Sequence, residues 1–206
     1  MARLPASAAS AEPVGPPSPL RWFVLAGLWL VYLTFGMTAA SLAPLVGPVT
    51  RDLGISHASM GFVFGIWQLA YIATAVPAGA LHDRLGVSRT MFLGAVIVAI
   101  SAFFRSLAVD YVSLCLAVLV FGFGGPIIST GSPKIVSSWF AGAERGFAMG
   151  IYVTGSASGT ILALALTNAV LMPAFDQNWH RVLQLWSVLA LWAGIIWLAI
   201  TAHPVM

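Results

Sequence analysis

A short polar segment, GALHDRLGVSR, begins at Gly79 and separates two long apolar runs of this sequence. It places Asp83 next to Arg84 and adds Arg89, in a chain where only 7% of residues are Asp, Glu, Lys or Arg. Asp83 can accept hydrogen bonds from free N–H groups at a nearby helix start, and Arg89 can reach Asp83 or a lipid phosphate. Gly86 supplies the backbone freedom that a tight turn needs. The spacing predicts a charged hinge between two helices, with an ordinary turn carrying topology-setting arginines as the alternative.

The overall composition is that of a membrane protein. The 206 residues are 60% hydrophobic with a mean hydropathy of +0.96, whereas soluble chains carry about 25% charged residues. In hydrocarbon, every backbone N–H and C=O must be paired within the protein, which leaves helices or a closed barrel. Apolar runs of about 20 residues without strict alternation favour helices. We therefore predict an all-α membrane protein.

Six apolar runs are long enough to cross a bilayer, and they predict a bundle of six transmembrane helices over residues 21–201. Residues 1–20 are rich in Ala, Pro and Ser and are predicted to form a disordered tail, and residues 202–206 a C-terminal tail. An interfacial segment is expected between the fourth and fifth runs. The spans are expected at about 22–43, 59–81, 90–107, 111–130, 146–171 and 182–201.

The basic residues predict how the bundle is oriented. Six of them fall on the side of the amino terminus and three on the opposite side. An excess of Lys and Arg marks the cytoplasmic side of a membrane protein, so both termini are predicted to be cytoplasmic. The first group is Arg3, Arg21, Arg84, Arg89, Lys134 and Arg145, and the second is Arg51, Arg105 and Arg181.

Two segments resemble the major facilitator superfamily of secondary transporters. The hinge reads G-x-L-x-D-R-x-G-x-x-R, which resembles the loop after the family's second span. The stretch WFAGAERGFAMG, from Trp139 to Gly150, resembles the segment leading into the fifth span of facilitators of small anions, such as cyanate, nitrate or monocarboxylate members. The resemblance implies a six-helix half built from two three-helix repeats, and a hinge that latches onto the opposite half and releases during transport. The residues assigned to this motif and gating role are Gly79, Asp83, Arg84, Gly86, Arg89, Glu144 and Arg145.

The sequence also departs from the family's pattern. Val118 stands where a family Arg often precedes the glycines of the fourth helix, so proton coupling through that Arg is not expected. Ser156 stands where the antiporter signature has Pro, which disfavours an antiporter. Val87 and Ser88 occupy hinge positions that are basic in many members, which implies a weaker latch.

Small and polar residues within the spans have two competing interpretations. Glycines at helical spacing permit close packing of helices, and polar side chains more often join two helices than contact a solute. The small residues of the second span share one face, which we expect to be a packing face rather than a lipid face. The glycines predicted to pack are Gly61, Gly65, Gly122, Gly124, Gly125, Gly155 and Gly159. The candidates for a substrate cavity are Tyr32, Gln68, Tyr71, Thr154 and Asn168, with Thr34 and Ser158 as further polar positions.

Charged and reactive residues argue against an enzyme. The acids and the four histidines are expected in loops or tails, which gives no metal or nucleophile site and no cofactor. The single Cys115 lies in an apolar run and is interpreted as a packing residue. Arg105 and Lys134 lie near span ends and are expected to extend to the headgroups. If the solute is an anion, either cation could attract it to the cavity mouth.

The resemblance covers only the N-terminal half of the family's twelve-span fold, which leaves three functional hypotheses. The chain pairs with itself or with a second half to form a carrier for a small solute; it is a non-transporting accessory subunit or scaffold of a membrane complex; or it is a truncated fragment of a twelve-span carrier. The expected partners are the lipid bilayer, a second six-span bundle or a larger complex, and a small solute, without nucleic acid. The expected location is a bacterial inner membrane.

Overall fold

Six helices long and apolar enough to cross a membrane form the core of the computed structural model, which describes residues 19–202. A 3-10 turn, Ala43–Leu45, joins the first two helices, and a π-helix, Thr167–Leu171, joins the sixth and seventh. The predicted all-α six-span fold is therefore confirmed. Residues 1–18 and 203–206 of the predicted tails lie outside the described residues. The helices are α1 Leu20–Ala40, α2 Val46–Asp52, α3 His57–Leu85, α4 Val87–Arg105, α5 Tyr111–Trp139, α6 Gly142–Leu166, α7 Met172–Ala174 and α8 Trp179–Thr201.

Helix α5 is longer than predicted because it continues through two prolines. Pro126 has no N–H, so the carbonyl of Gly122 loses its usual helical donor. The hydroxyl of Thr74, on α3, donates to that carbonyl at 3.2 Å. A neighbouring helix thus satisfies the freed backbone group, as membrane helices require. The stretch expected to be interfacial, between the fourth and fifth spans, is mostly the continuation of α5, which ends at Trp139 just before α6 begins at Gly142.

The order of packing follows from the helix contacts. Helix α6 packs on α1, α1 on α8, α8 on α4, α4 on α5, and α5 on α3, which makes an arc of six helices. The first three spans correspond to the last three: α1 to α5, α3 to α6 and α4 to α8. Exchanging each helix with its counterpart gives the same list of packed pairs. The bundle is therefore two three-helix units in equivalent arrangements, as expected of a secondary transporter.

Glycines permit the closest crossings in both units. On α6, Gly155 and Gly159 lie against the backbone of α1, and on α1, Gly36 lies against the backbone of Ser156. In the equivalent pair, Gly122 of α5 lies against the backbone carbonyl of Trp67 on α3. Such close approach lets helices gain van der Waals contact in lipid, where the hydrophobic effect does not hold them together.

Polar side chains cap the N-termini of three of the spans. The side chain of Asp110 accepts a hydrogen bond from the backbone N–H of Ser113 at 2.7 Å and forms a capping box at the start of α5. Ser56 and Asn178 cap α3 and α8 in the same way, at 3.0 and 3.2 Å. These bonds satisfy N–H groups that have no partner within the helix. The hydrogen bond from Ser113 lowers the pKa of Asp110 below its ordinary value.

Candidate functional site

One face of the bundle lacks a covering helix in the part of the chain that the structure describes. Helices α3 and α6 stand at the two ends of the arc, and each packs mainly on a single neighbour. Only 17% and 22% of their most apolar 18-residue stretches are buried, compared with 39–61% in the other spans. We call the surface between α3 and α6, with α1 and α5 behind it, the open face.

A continuous run of aromatic rings lies behind the open face. Tyr32 on α1 contacts Tyr152 on α6 edge to face, with 5.0 Å between ring centroids, and lies 6.0 Å from Phe35. Phe35 stacks on Phe121 of α5 at 5.1 Å, and Trp67 of α3 meets the edge of Phe121 at 5.4 Å. The run therefore joins all four helices of this face. The sequence interpretation had selected Tyr32 from it but missed Phe35, Phe121 and Trp67.

The five substrate-cavity candidates do not form one cluster. Tyr71 extends the aromatic run, lying 5.8 Å from Trp67, and its hydroxyl is 2.7 Å from that of Ser129. Thr154 accepts a hydrogen bond from the indole N–H of Trp29 at 3.0 Å, so it joins α6 to α1. The three others are Tyr32, within the run; Gln68, exposed on α3; and Asn168, which donates to the carbonyl of Pro44 at 3.2 Å near the opposite end of the bundle.

The hinge connects α3 to α4 through Gly86, whose φ of 82° is a conformation that residues with a Cβ rarely adopt. Asp83 forms an ion pair at 2.9 Å with Lys134 near the end of α5. Of the two partners considered for Arg89, Asp83 is thus paired with a residue of a different helix, and a lipid phosphate stays a prediction. Arg84 and Arg89 are both exposed. Lys134 is exposed and links α5 to the hinge through this ion pair, and its expected contact with the headgroups stays a prediction.

The hinge also contains a buried histidine. His82 is 2% exposed, and its Nδ1 lies 2.8 Å from the hydroxyl of Thr90 on α4. Its Nε2 lies 3.0 Å from the carbonyl oxygen of Ile127 on α5. Gly131 leaves room for the ring, since a Cβ there would lie 2.7 Å from Cε1 of His82. The expectation that every histidine lies in a loop or tail was wrong for His82, because it lies inside α3 facing two other helices.

The second family-like segment joins two helix ends. Glu144 accepts two hydrogen bonds from Arg21, at 2.8 and 3.3 Å, so the starts of α6 and α1 are held together. This forked geometry is the strongest form of an Arg–carboxylate contact. Arg145 donates to the carbonyl of Phe140 at 3.1 Å, at the end of α5, where a cation is favoured by the helix dipole.

The glycines predicted to pack fall into two groups. Gly122, Gly124, Gly125, Gly155 and Gly159 all lie against neighbouring helices. By contrast, a Cβ added at Gly61 or Gly65 on α3 would meet nothing within 4 Å in the described structure, and the same holds at Gly79 of the hinge. Within the described residues, the small-residue face of α3 is therefore not a packing face, because it lies at the unpartnered end of the arc. That it packs against a second protein surface stays a prediction.

Arg105 is the one predicted headgroup contact that the structure places in the interior. It is 2% exposed, and its Nη1 donates to the carbonyl of Thr38 at 2.8 Å and to the hydroxyl of Ser41 at 3.2 Å. Its guanidinium carbon lies 5.2 Å from the ring centre of Phe121. The expectation that Arg105 extends to the headgroups was wrong, because the side chain points back between α1, α4 and α5. A buried charge is costly unless polar or charged groups compensate it.

Two other features of the described residues bear on ligand binding. A surface pocket of about 580 Å³ is lined by residues around α2 and the start of α8, including Asp52, Asp176 and His180. Among residues 19–202, no group of three or more His, Cys, Asp or Glu could hold a metal ion. Cys115 is buried in the core.

Comparison with known proteins identifies a family of membrane transporters. The family model described as Major Facilitator Superfamily matches residues 28–205. The chain is 28% identical to the probable galactarate/D-glucarate transporter GudP of Bacillus subtilis over 95% of its own length and 44% of that protein. It is 26% identical to the D-galactonate transporter of Escherichia coli, over 91% of this chain and 43% of the relative. The chain thus spans less than half the length of these relatives, which are transporters and not enzymes.

A solved structure supports the same fold. The bacterial homologue of the human lysosomal transporter Spinster superposes with a TM-score of 0.79 at 20% identity, over 90% of this chain and 44% of that one. At this level of identity the likeness bears on the fold alone.

Proposed function

Because the chain belongs to the Major Facilitator Superfamily, we propose that it is a six-helix half of a secondary transporter that moves a small organic anion of the sugar-acid class. The observation that carries this proposal is the open face, where four helices present aromatic and polar residues without a covering helix. The relatives named for galactarate, glucarate and galactonate supply the solute class. The narrower cyanate, nitrate or monocarboxylate expectation remains a prediction.

In this proposal a second six-helix bundle covers the open face, supplied by another copy, another chain or a longer form of this polypeptide. The solute binds between the two bundles, and their rocking exposes the site to each side of the membrane in turn. Gly61 and Gly65 of α3, where a Cβ would meet nothing within 4 Å, allow that second bundle to approach closely. The hinge residues Asp83 and Gly86 then control which side is open.

The chain is an integral, multi-pass membrane protein. We further propose a bacterial inner membrane with both termini in the cytoplasm. The excess of basic residues on the side of the amino terminus supports this orientation. It places the Asp83–Lys134 ion pair on the cytoplasmic side, where the hinge can contact the second bundle.

The test is transport by the purified chain in liposomes, preceded by its mass in mild detergent. An assembly with two bundles should take up labelled D-galactonate or D-glucarate saturably and should not take up the neutral polyol galactitol. Asp83→Ala should reduce this uptake. Asp110→Ala is a matched control that removes an acidic residue outside the open face. The folded fraction of this variant should retain uptake.

Two results would overturn the proposal. One is the absence of sugar-acid uptake by an assembly shown to contain two bundles. The other is a stoichiometric complex in which an unrelated protein covers the open face, which would favour the accessory or scaffold function. An in-frame continuation encoding six further spans would identify the chain as part of a twelve-span carrier, and uptake would then be measured on that longer protein.

A further inference from the structure

A positive charge without a carboxylate partner lies directly behind the open face. Arg105 donates hydrogen bonds to the carbonyl of Thr38 and the hydroxyl of Ser41, and its guanidinium lies over the ring of Phe121. None of these is an anion, and none of the ion pairs in residues 19–202 includes Arg105. The end of α1 compensates the charge in part, because a helix C-terminus carries partial negative charge.

Two buried polar atoms beside this charge have no hydrogen-bond partner among the described residues. They are Nε of Arg105 and the hydroxyl oxygen of Thr38. Both belong to residues already joined through the Thr38 carbonyl, so they lie in one small region. Buried polar groups are nearly always paired, and two orphans next to an unpaired cation are a pattern that a ligand would complete.

A carboxylate is the group that fits this set. It is an acceptor only, with two oxygens, and it can take one hydrogen bond from a guanidinium N–H and another from a hydroxyl. It also carries the negative charge that the buried guanidinium lacks. A neutral hydroxyl of a sugar could satisfy one donor but would leave the charge unpaired.

One aromatic ring separates this region from the open face. Phe121 is fully buried, with Arg105 on one side and the rings of Phe35 and Trp67 on the others, at 5.1 and 5.4 Å. Phe35 and Trp67 are only partly buried and belong to the aromatic run behind the open face. The ring of Phe121 therefore lies between the guanidinium and the rings of Phe35 and Trp67.

We propose that Arg105, with the hydroxyl of Thr38, binds a carboxylate of the solute after the ring of Phe121 moves aside. The inference rests on the proposed function, since it identifies the residues of this transporter half that recognise the charge of a sugar acid. It gives Arg105, in the third span, a role in binding the solute, whereas the hinge residues act in gating.

The experiment measures the thermal unfolding midpoint of the full chain in lipid nanodiscs with sodium acetate, sodium D-galactonate or galactitol. Sodium chloride keeps the ionic strength constant. Both carboxylates should raise the midpoint of the wild type, and galactitol should not, because a ligand stabilises the state that binds it. In Arg105→Gln the apparent affinity for both carboxylates should fall by about tenfold or more. Thr38→Val should weaken it less.

Each shift is measured from the variant's own midpoint, so a general loss of stability does not mimic a loss of binding. Arg105→Lys keeps the charge without the planar fork and should give an intermediate shift, which provides a second variant if Arg105→Gln does not fold. Arg181→Gln removes an exposed cation from the same side of the bundle and should behave as the wild type.

The outcomes separate this inference from the proposed function. A shift with galactonate that is equal in the wild type and Arg105→Gln would overturn the Arg105 site and leave sugar-acid binding intact. An Arg105-dependent shift with acetate but none with galactonate would support the carboxylate site and argue against the sugar-acid class. The site would be overturned if neither carboxylate shifted the midpoint. It would also be overturned if sodium chloride in place of the carboxylate salt gave an equal shift.

Discussion

Alanine substitutions along α6 should measure how closely this helix packs on α1. A Cβ at Gly155 would lie 2.7 Å from the carbonyl oxygen of Trp29, whereas ordinary contact begins at 3.4 Å, which leaves a shortfall of 0.7 Å. At Gly159 the Cβ would overlap the carbonyl of Leu33, and the shortfall exceeds an ångström. Backbone atoms cannot rotate away as side chains can, so the two helices must separate.

Overpacking of this kind costs about 1–3 kcal/mol. We therefore expect Gly155→Ala to reduce the free energy of unfolding by about 1 kcal/mol and Gly159→Ala by about 3 kcal/mol. The matched control is Gly150→Ala, on the same helix, where a Cβ would meet nothing within 4 Å. It should leave the stability unchanged or raise it slightly, because Ala favours a helix over Gly.

The assay is unfolding by sodium dodecyl sulphate in mixed micelles, followed by circular dichroism. The expected order of unfolding midpoints is Gly150→Ala at or above the wild type, then Gly155→Ala, then Gly159→Ala. Equal midpoints for the three variants would refute the reasoning, since they would mean that α1 and α6 do not approach closely enough for glycine to be required.

Two further predictions concern charges. Asp83→Asn should leave the unfolding midpoint close to that of the wild type, because an exposed ion pair contributes little to stability. It should nevertheless reduce transport by the assembled carrier, and the charge exchange Asp83→Lys with Lys134→Asp should restore part of that transport. Unchanged transport in Asp83→Asn would contradict a gating role. Asp110 has a pKa below its ordinary value of 3.8, so its cap stabilises the fold above that pH and is lost as the pH falls through the lowered pKa. The midpoint of the wild type relative to Asp110→Asn, which keeps a capping oxygen but does not titrate, should therefore be constant above about pH 5 and decrease in acid; a difference independent of pH would exclude this contribution.

Much of the fold could be predicted because each span is set by local chemistry. The length of an apolar run, a capping residue such as Asp110 and the glycine of the hinge are properties of short segments. The extension of α5 through Pro126 could not be predicted in this way, because the hydroxyl that satisfies the freed carbonyl comes from Thr74 on another helix. His82 was missed for the same reason, since its partners Thr90 and Ile127 lie on α4 and α5.

The amino-acid sequence by itself determined the solvent, the number of membrane-spanning helices and the location of the charged hinge, since these depend on composition and on residues close together in the chain. The tertiary structure decided which faces meet: it buried Arg105, paired Asp83 with Lys134 and left α3 and α6 without a covering neighbour. The reason is that lipid and helix interfaces are both apolar. A membrane helix is therefore hydrophobic on all sides, and its periodicity does not distinguish the face that packs on protein from the face that meets lipid.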